Sequence, residues 1–294
     1  MTTSDLWKIA LALKAGVYPQ SNDRRIQRFL AGYEVDFARL GRLLLHLGSQ
    51  APLYLVVIDR TEWHFGQTPV NVLTVGIAHR GMTIPVVWRA LPKGGGSSQT
   101  DHTGVLEQLL ERIEASSIEA VVADREYISA GWLRQMQRRG IPFCIRLRSD
   151  RRIGDSNDGP ALLARMYARP LSVGTERVLD GERYVAGGKG APVRVVVRRI
   201  ASREVEAPFL ILATWKLDPG EATDLYRRRW EIESMFAALK SRGFDLEATG
   251  LTEPARIGRL IDLLALAFTW TRLVGDQRAR REGPPPVKTH GRRK

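Results

Sequence analysis

The chain has 294 residues, of which 44% are hydrophobic and 26% are charged, as in an ordinary globular protein with a sizeable core. Its 45 Lys and Arg residues outnumber its 32 Asp and Glu residues, and this excess favours an anionic partner, most commonly nucleic acid. An anionic membrane surface or a basic, solvated shell would give the same charge. The single cysteine excludes an intrachain disulfide, and the most apolar stretch, 263–270, is too short to cross a bilayer. The sequence therefore predicts a soluble cytoplasmic protein with no membrane partner.

The two ends of the chain differ in composition from its middle. Residues 1–50 have apolar side chains at helical spacing and predict a helical region. A basic face in this region is a candidate for DNA contact, and it consists of Arg24, Arg25 and Arg28. Residues 276–294 contain three successive prolines and many Lys and Arg residues, and they predict a disordered basic tail.

The middle of the chain, residues 51–275, alternates between apolar strands and helices. Three strands come first, followed by a helix, a strand, a second helix and a fifth strand. This order is typical of the mixed sheet of the ribonuclease-H-like class of α/β proteins. The predicted strands are 53–58, 70–78, 82–91, 118–123 and 143–147, and the predicted helices are 104–115 and 129–139.

A β-rich insertion is predicted at 148–209, because the sequence there alternates in hairpin fashion around Asp180-Gly181 and Gly187-Gly188. A core strand then returns. The predicted elements of this last part are a strand at 210–213 and helices at 218–242 and 255–274.

Two aspartates directly follow predicted strands. Asp59 comes after the strand at 53–58, and Asp124 comes after the strand at 118–123. An acid in this position is commonly only a turn residue or a helix cap, so either aspartate alone is weak evidence for a catalytic role.

The predicted helix at 218–242 is more informative, since it contains the pattern Tyr226-x2-Arg229-x3-Glu233-x6-Lys240. At about 100° per residue these four side chains fall within a sector of about 60°, whereas Glu231 points elsewhere. The alternative is an amphipathic surface helix with an Arg229–Glu233 ion pair. This alternative does not explain why Tyr226 and Lys240 lie on the same face of the helix.

This spacing resembles the Y-R-E-K signature of bacterial transposases of the insertion-sequence-four family. Leu55-Val-Val-Ile-Asp59 and Val121-Val-Ala-Asp124-Arg-Glu-Tyr127 are similar to that family's first and second acidic motifs. The resemblance covers about residues 24–275. It implies a ribonuclease-H-like fold with a β-rich insertion and helical N- and C-terminal regions. It also implies that Asp59, Asp124 and Glu233 are the catalytic residues and the metal ligands.

The function implied is cut-and-paste DNA transposition, in which a homodimer cleaves transposon ends and transfers the strands into double-stranded target DNA. Two Mg²⁺ ions, for which Mn²⁺ substitutes, would activate the nucleophile and stabilise the leaving oxygen. The expected location is the bacterial nucleoid.

Three side chains of the signature, Tyr226, Arg229 and Lys240, are expected to contact DNA phosphates near the scissile bond. Trp230 is a candidate for base stacking, and a buried helix tryptophan is an equal alternative. Family members usually have a longer N-terminal DNA-binding region than the 58 residues that precede Asp59. Two other functions remain open: a nuclease on the same fold, and an inactive, transposase-derived DNA-binding protein.

Overall fold

The computed structural model describes residues 4–13, 16–48, 51–65, 68–91, 95–157, 159–185, 191–201, 208–240 and 243–283. One mixed sheet runs through the molecule, with helices on both of its faces. The strands are β1 (Tyr54–Phe65), β2 (Thr68–His79), β3 (Met82–Leu91), β4 (Ile118–Ala123), β5 (Phe143–Arg146), β6 (Arg152–Gly154), β7 (Ala161–Leu163), β8 (Glu176–Val178), β9 (Arg183–Tyr184), β10 (Pro192–Arg199) and β11 (Phe209–Trp215).

The helices include three before the sheet, three between its strands and three after it. They are α1 (Leu6–Ala12), α2 (Pro19–Gly32), α3 (Phe37–Gly48), α4 (Gln99–Leu110), α5 (Ala130–Arg138), α6 (Ala164–Ala168), α7 (Ala222–Arg227), α8 (Trp230–Lys240) and α9 (Pro254–Glu282). No helix in the described ranges is long and apolar enough to span a membrane.

The strand order is β3-β2-β1-β4-β5-β11-β10, and the short strands β6 to β9 lie beyond β10 or pair with it. Strands β1, β4 and β5 are parallel to one another, whereas β2, β3 and β11 join antiparallel. The β2–β3 turn places Arg80 and Gly81 at φ values of 52° and 83°, as a two-residue hairpin turn with the matching twist requires. This topology confirms the predicted mixed, ribonuclease-H-like sheet with helices at both ends.

Alternation along the central strands decides which way each side chain faces. In β1, Val56 and Ile58 pack with α4 and α5, whereas Leu55 and Val57 pack with the helices that follow β11. Successive residues of a strand face opposite sides of the sheet, so Asp59 faces the same side as Val57. The same alternation in β4 turns the residue after Ala123 towards that side as well.

Several predicted boundaries are wrong. β1 continues past Ile58 to Phe65, because its second half pairs with β2, so Asp59 lies inside the strand. The predicted helix at 104–115 begins instead at Gln99, where Ser98 and Asp101 form a capping box, and ends at Leu110.

The long helix predicted at 218–242 is divided. α7 ends at Arg227, a turn occupies Arg228 and Arg229, and α8 begins at Trp230. The final helix is longer than predicted. α9 includes residues 277–282, so this part of the predicted disordered tail is helical; residues 284–294 lie outside the described ranges.

The insertion predicted at 148–209 contains β6 to β10 and the short helix α6. β10 pairs with β11 over Arg194–Arg199, and its other edge pairs with β8 and β9. The predicted hairpin position Asp180-Gly181 separates β8 from β9, whereas Gly187-Gly188 lies outside the described residues. The insertion therefore extends the central sheet.

Asp262 in α9 is a buried carboxyl group with a relative exposure of 1%. Burial raises its pKa to about 8, against smaller opposing effects of the Trp88 indole and the Arg259 guanidinium. In the unfolded chain the pKa returns to the ordinary aspartate value of 3.8, so between about pH 4 and pH 8 folding takes up a proton. Stability from this group should therefore fall as the pH rises through that range.

We expect Asp262→Asn to remove most of this dependence, since the amide keeps the shape and stays neutral. The wild type should lose up to about 1.4 kcal/mol of unfolding free energy per pH unit relative to the variant across this range. Urea unfolding of both proteins from pH 5 to pH 9 measures the difference. Parallel stability curves for the two proteins would contradict this account.

Candidate active site

Two of the three predicted acids lie side by side because they follow paired residues of parallel strands. Ile58 in β1 is opposite Ala123 in β4, so Asp59 and Asp124 come next on strands about 4.8 Å apart. The alternation of both strands turns the two side chains towards α7 and α8. The sheet alone thus brings two carboxylates to one face.

The third acid, Glu233, lies in the first turn of α8, and Arg229, in the turn between α7 and α8, connects it to the sheet. Arg229 in this turn donates from one terminal nitrogen to Asp59 Oδ2 at 2.7 Å and from the other to Glu233 Oε1 at 2.6 Å. The Tyr226 hydroxyl donates to Asp124 Oδ1 at 3.1 Å, and Arg146 Nη1 lies 3.8 Å from the same oxygen. The Arg229 guanidinium carbon lies 5.7 Å from the centre of the Tyr226 ring and links these two sets of contacts. Five of the predicted site residues therefore form one connected group: Asp59, Asp124, Tyr226, Arg229 and Glu233.

Burial raises the pKa of two members of this group, Asp59 and Tyr226. It raises the pKa of Asp59 to about 6, an effect that the nearby Arg229 guanidinium only partly offsets. Burial and then the Asp124 carboxylate raise the pKa of Tyr226 above its ordinary value, so the phenol stays protonated and acts as a donor. The side chain of Glu233 is 44% exposed, which leaves this acid accessible from solvent.

Glu231, two residues before Glu233, is directed away from this group. It accepts from Arg228 Nε at 3.0 Å, and the same arginine donates to the Ala78 carbonyl at 3.0 Å. This ion pair ties the start of α8 to the end of β2. Glu231 therefore has a structural partner of its own.

The sequence matches a known protein family along most of the chain. The family model described as the transposase DDE domain matches residues 51–270. The chain belongs to the DDE transposase family. None of the curated proteins matches this sequence.

Two solved structures are similar at low identity. A piggyBac transposase in a synaptic complex with hairpin DNA has 10% identity and a TM-score of 0.46, with 82% of this chain and 56% of that chain covered. Human ENDOV has 12% identity and a TM-score of 0.30, with 85% of this chain and 97% of that chain covered. This DDE transposase chain thus spans little more than half the length of the piggyBac chain.

DDE transposases generally use divalent metal ions, and the donor set here fits such an ion. The carboxylates of Asp59 and Glu233 already share one cation, the Arg229 guanidinium, and Asp124 adds a third acid beside them. Hard divalent cations prefer carboxylate oxygens. Within the described ranges, no three acidic, His or Cys side chains stand close enough to hold an ion as they are placed. At least one of the three acids would therefore have to reorient to complete the ligand set.

The other predicted DNA contacts lie outside this group. Lys240 Nζ is 3.4 Å from Glu247 Oε1, which also accepts from the His64 backbone N–H. Trp230 is 66% exposed at the start of α8, so a buried helix tryptophan is ruled out. The predicted basic face is exposed on α2, which packs against α1 and α9, and it consists of Arg24, Arg25 and Arg28.

Sequence reasoning missed an ion pair behind the acids in this DDE transposase. Arg60, on the opposite face of β1 from Asp59, binds Glu126 at 3.3 Å and donates to Asn71 Oδ1 at 2.8 Å. Glu126 also accepts from the Ser97 hydroxyl at 3.2 Å. The pair joins β1 to the turn after Asp124 and so fixes the two strands that bear the acids. Its only sequence signal is that each partner lies within two residues of a predicted acid.

Proposed function

We propose that this DDE transposase performs cut-and-paste DNA transposition and belongs with the insertion-sequence-four transposases of the Y-R-E-K type. The observation that supports this most directly is the link through Arg229 between Asp59 and Glu233, beside Asp124. The proposed reaction first hydrolyses a phosphodiester at each element end. The 3′-hydroxyl then attacks a target phosphodiester, so one P–O bond forms as another breaks.

We propose that Asp59, Asp124 and Glu233 hold two Mg²⁺ ions, for which Mn²⁺ substitutes. When bound, the metal supplies charge neutralisation at the scissile phosphate and lowers the pKa of the attacking group. Tyr226 keeps its proton and orients Asp124 through the hydroxyl hydrogen bond. Arg146 adds positive charge on the other side of Asp124.

We further propose that double-stranded DNA crosses the exposed surface beside α8. Trp230 offers an exposed ring for base stacking next to Arg229, and Lys240 continues the positive charge along the same helix. The basic face of α2 is the candidate for contact with transposon ends, through Arg24, Arg25 and Arg28. A homodimer would bring two such sites to the two ends, in the bacterial nucleoid.

The deciding experiment uses a donor plasmid with a marker between the two genomic segments that flank the coding sequence. Purified protein, Mg²⁺ and a target plasmid are combined, and the products are sequenced. Insertions of the marker into the target support transposition. Cleaved donor without joined products would indicate a nuclease, and bound but uncut donor would indicate an inactive DNA-binding protein.

Metal binding should depend on pH through Asp59. Its raised pKa of about 6 means that metal must displace a proton below that pH, so the apparent affinity should fall about tenfold per pH unit there. Above about pH 7 the affinity should be level. Calorimetric titration with Mn²⁺ from pH 5 to pH 8 measures this. An affinity that is unchanged between pH 5 and pH 7 would show that Asp59 does not ligate the metal.

A further inference from the structure

The guanidinium of Arg229 occupies a central position among the acids. Its two terminal nitrogens bind one oxygen of Asp59 and one of Glu233, at 2.7 and 2.6 Å. Both distances are those of charge-assisted hydrogen bonds, which are about twice as strong as neutral ones. The arginine side chain is only 14% exposed, so solvent screens these bonds weakly. Two carboxylates that would otherwise repel each other are thereby held together.

The backbone of Arg229 is in a turn and not in a helix. Arg229 lies in the turn between α7 and α8, where its N–H donates to the Tyr226 carbonyl three residues back. Its guanidinium carbon also lies 5.7 Å from the centre of the Tyr226 ring. This ring gives the guanidinium a contact besides those with Asp59 and Glu233.

The bonds to the two acids use only two of the N–H donors of Arg229. Its Nε is buried and has no hydrogen-bond partner among the described residues. A guanidinium has five N–H donors in a planar fork, and a phosphate group can accept from two of them at once. While Arg229 binds the two acids, its guanidinium therefore still has N–H donors that an incoming phosphate would accept from.

We infer that Arg229 is a placeholder for the metal: it positions Asp59 and Glu233 by holding the oxygens that a divalent cation would take, and the cation must displace it. The inference rests on the proposed metal site. Displacement frees the guanidinium beside the Tyr226 ring, where it can bind a DNA phosphate. Metal and arginine thus compete for the same two carboxylates, and metal loading couples to phosphate binding.

The test is Mn²⁺ binding to the full chain, freed of metal, at pH 8 and followed by electron paramagnetic resonance of the unbound ion. Arg229→Gln removes the competing charge and keeps a polar side chain. We expect this variant to bind Mn²⁺ about tenfold more tightly than the wild type, given the strength of hydrogen bonds to charged groups. Arg229→Lys cannot bridge both acids and should fall between the two proteins.

The matched control is Arg228→Gln, which removes the neighbouring arginine but leaves the Arg229 contacts in place. Its Mn²⁺ affinity should stay at the wild-type value. Equal or weaker binding by Arg229→Gln would overturn the inference while leaving the metal site intact. Absence of Mn²⁺ binding by every protein would instead overturn the metal site and the inference with it.

A second measurement covers the case in which Arg229→Gln folds poorly. In Arg229→Ala, added guanidinium ion at millimolar concentrations should weaken Mn²⁺ binding, because it can re-enter the space between the two acids. The same addition should leave Arg228→Ala unaffected. If guanidinium has no effect on Arg229→Ala, no cation competes at that position and the inference fails.

Discussion

Glu233→Gln should reduce DNA cleavage by at least about a thousandfold while DNA affinity stays within about threefold of the wild type. The substitution preserves the size of the side chain but removes a charge from the group that Arg229 joins to Asp59. DNA affinity should persist, because phosphate contacts by basic residues provide most of it. Cleavage of the donor plasmid and gel-shift binding, measured on the same preparation, give the two values.

The chain provides a matched control two residues away. Glu231→Gln makes the same chemical change on the same helix, but Glu231 pairs with Arg228 and does not contact the acids. This variant should keep most of its cleavage activity and lose about 1 kcal/mol of stability, because a charged hydrogen bond near β2 is weakened. Equal losses of binding and cleavage in Glu233→Gln would indicate a structural role. Loss of cleavage in Glu231→Gln but not in Glu233→Gln would show that Glu231, and not Glu233, is the catalytic glutamate.

DNA binding should weaken by about four orders of magnitude between 50 and 200 mM salt, if about eight phosphates are neutralised. The corresponding slope of log affinity against log salt is about −7. This expectation follows from the net charge of +13. Fluorescence anisotropy of a labelled duplex over a series of salt concentrations measures the slope.

Deletion of 284–294 should make that slope shallower by up to about 3.6, since it removes Lys288, Arg292, Arg293 and Lys294. The deletion starts after α9, because residues 277–282 belong to that helix. A tail of equal length with these four residues changed to Gln controls for chain length. An unchanged slope would mean that the tail does not touch DNA, and the positive surface would then be sought on α2 and α8.

The sheet was largely predictable because its strands are short apolar runs between polar turns. Residues 118–123 and 82–91 form strands with the predicted ends. The second half of β1, which pairs with the start of β2, was not predictable from the sequence. Residues 59–62 are four polar side chains in succession and have no strand alternation, so only the pairing of 59–65 with β2 establishes them as a strand.

The break between α7 and α8 has no signal in the sequence, because positions 228 and 229 are both arginine and neither is a helix-breaking Gly or Pro. At this break, both arginines contact residues that are distant in the sequence: Arg228 binds the Ala78 carbonyl, and Arg229 binds Asp59. The face of an uninterrupted helix nevertheless predicted the grouping of Tyr226, Arg229 and Glu233. Lys240 is the exception, because at its end of α8 the nearest acid in contact is Glu247.

The end of α9 shows a limit of charge-based reasoning. A high density of basic residues and few apolar ones favour disorder. Ion pairs along the helix oppose it here: Arg272 binds Asp276 at 3.3 Å, and Arg278 binds Glu282 at 2.6 Å. Such i, i+4 pairs each add a few tenths of a kcal/mol, which suffices to continue a helix that packing has already nucleated.

The pairing of β10 with β11 limits how this protein can be shortened. β11 is an apolar strand with one side against β5 and the other covered by β10. Excising the segment that contains β10 would leave Phe209–Trp215 as an open edge with unpaired backbone groups, and such edges recruit strands from other molecules. A minimal version made in this way should aggregate rather than behave as a smaller enzyme. Resolubilising it would call for charged or proline substitutions along the new edge.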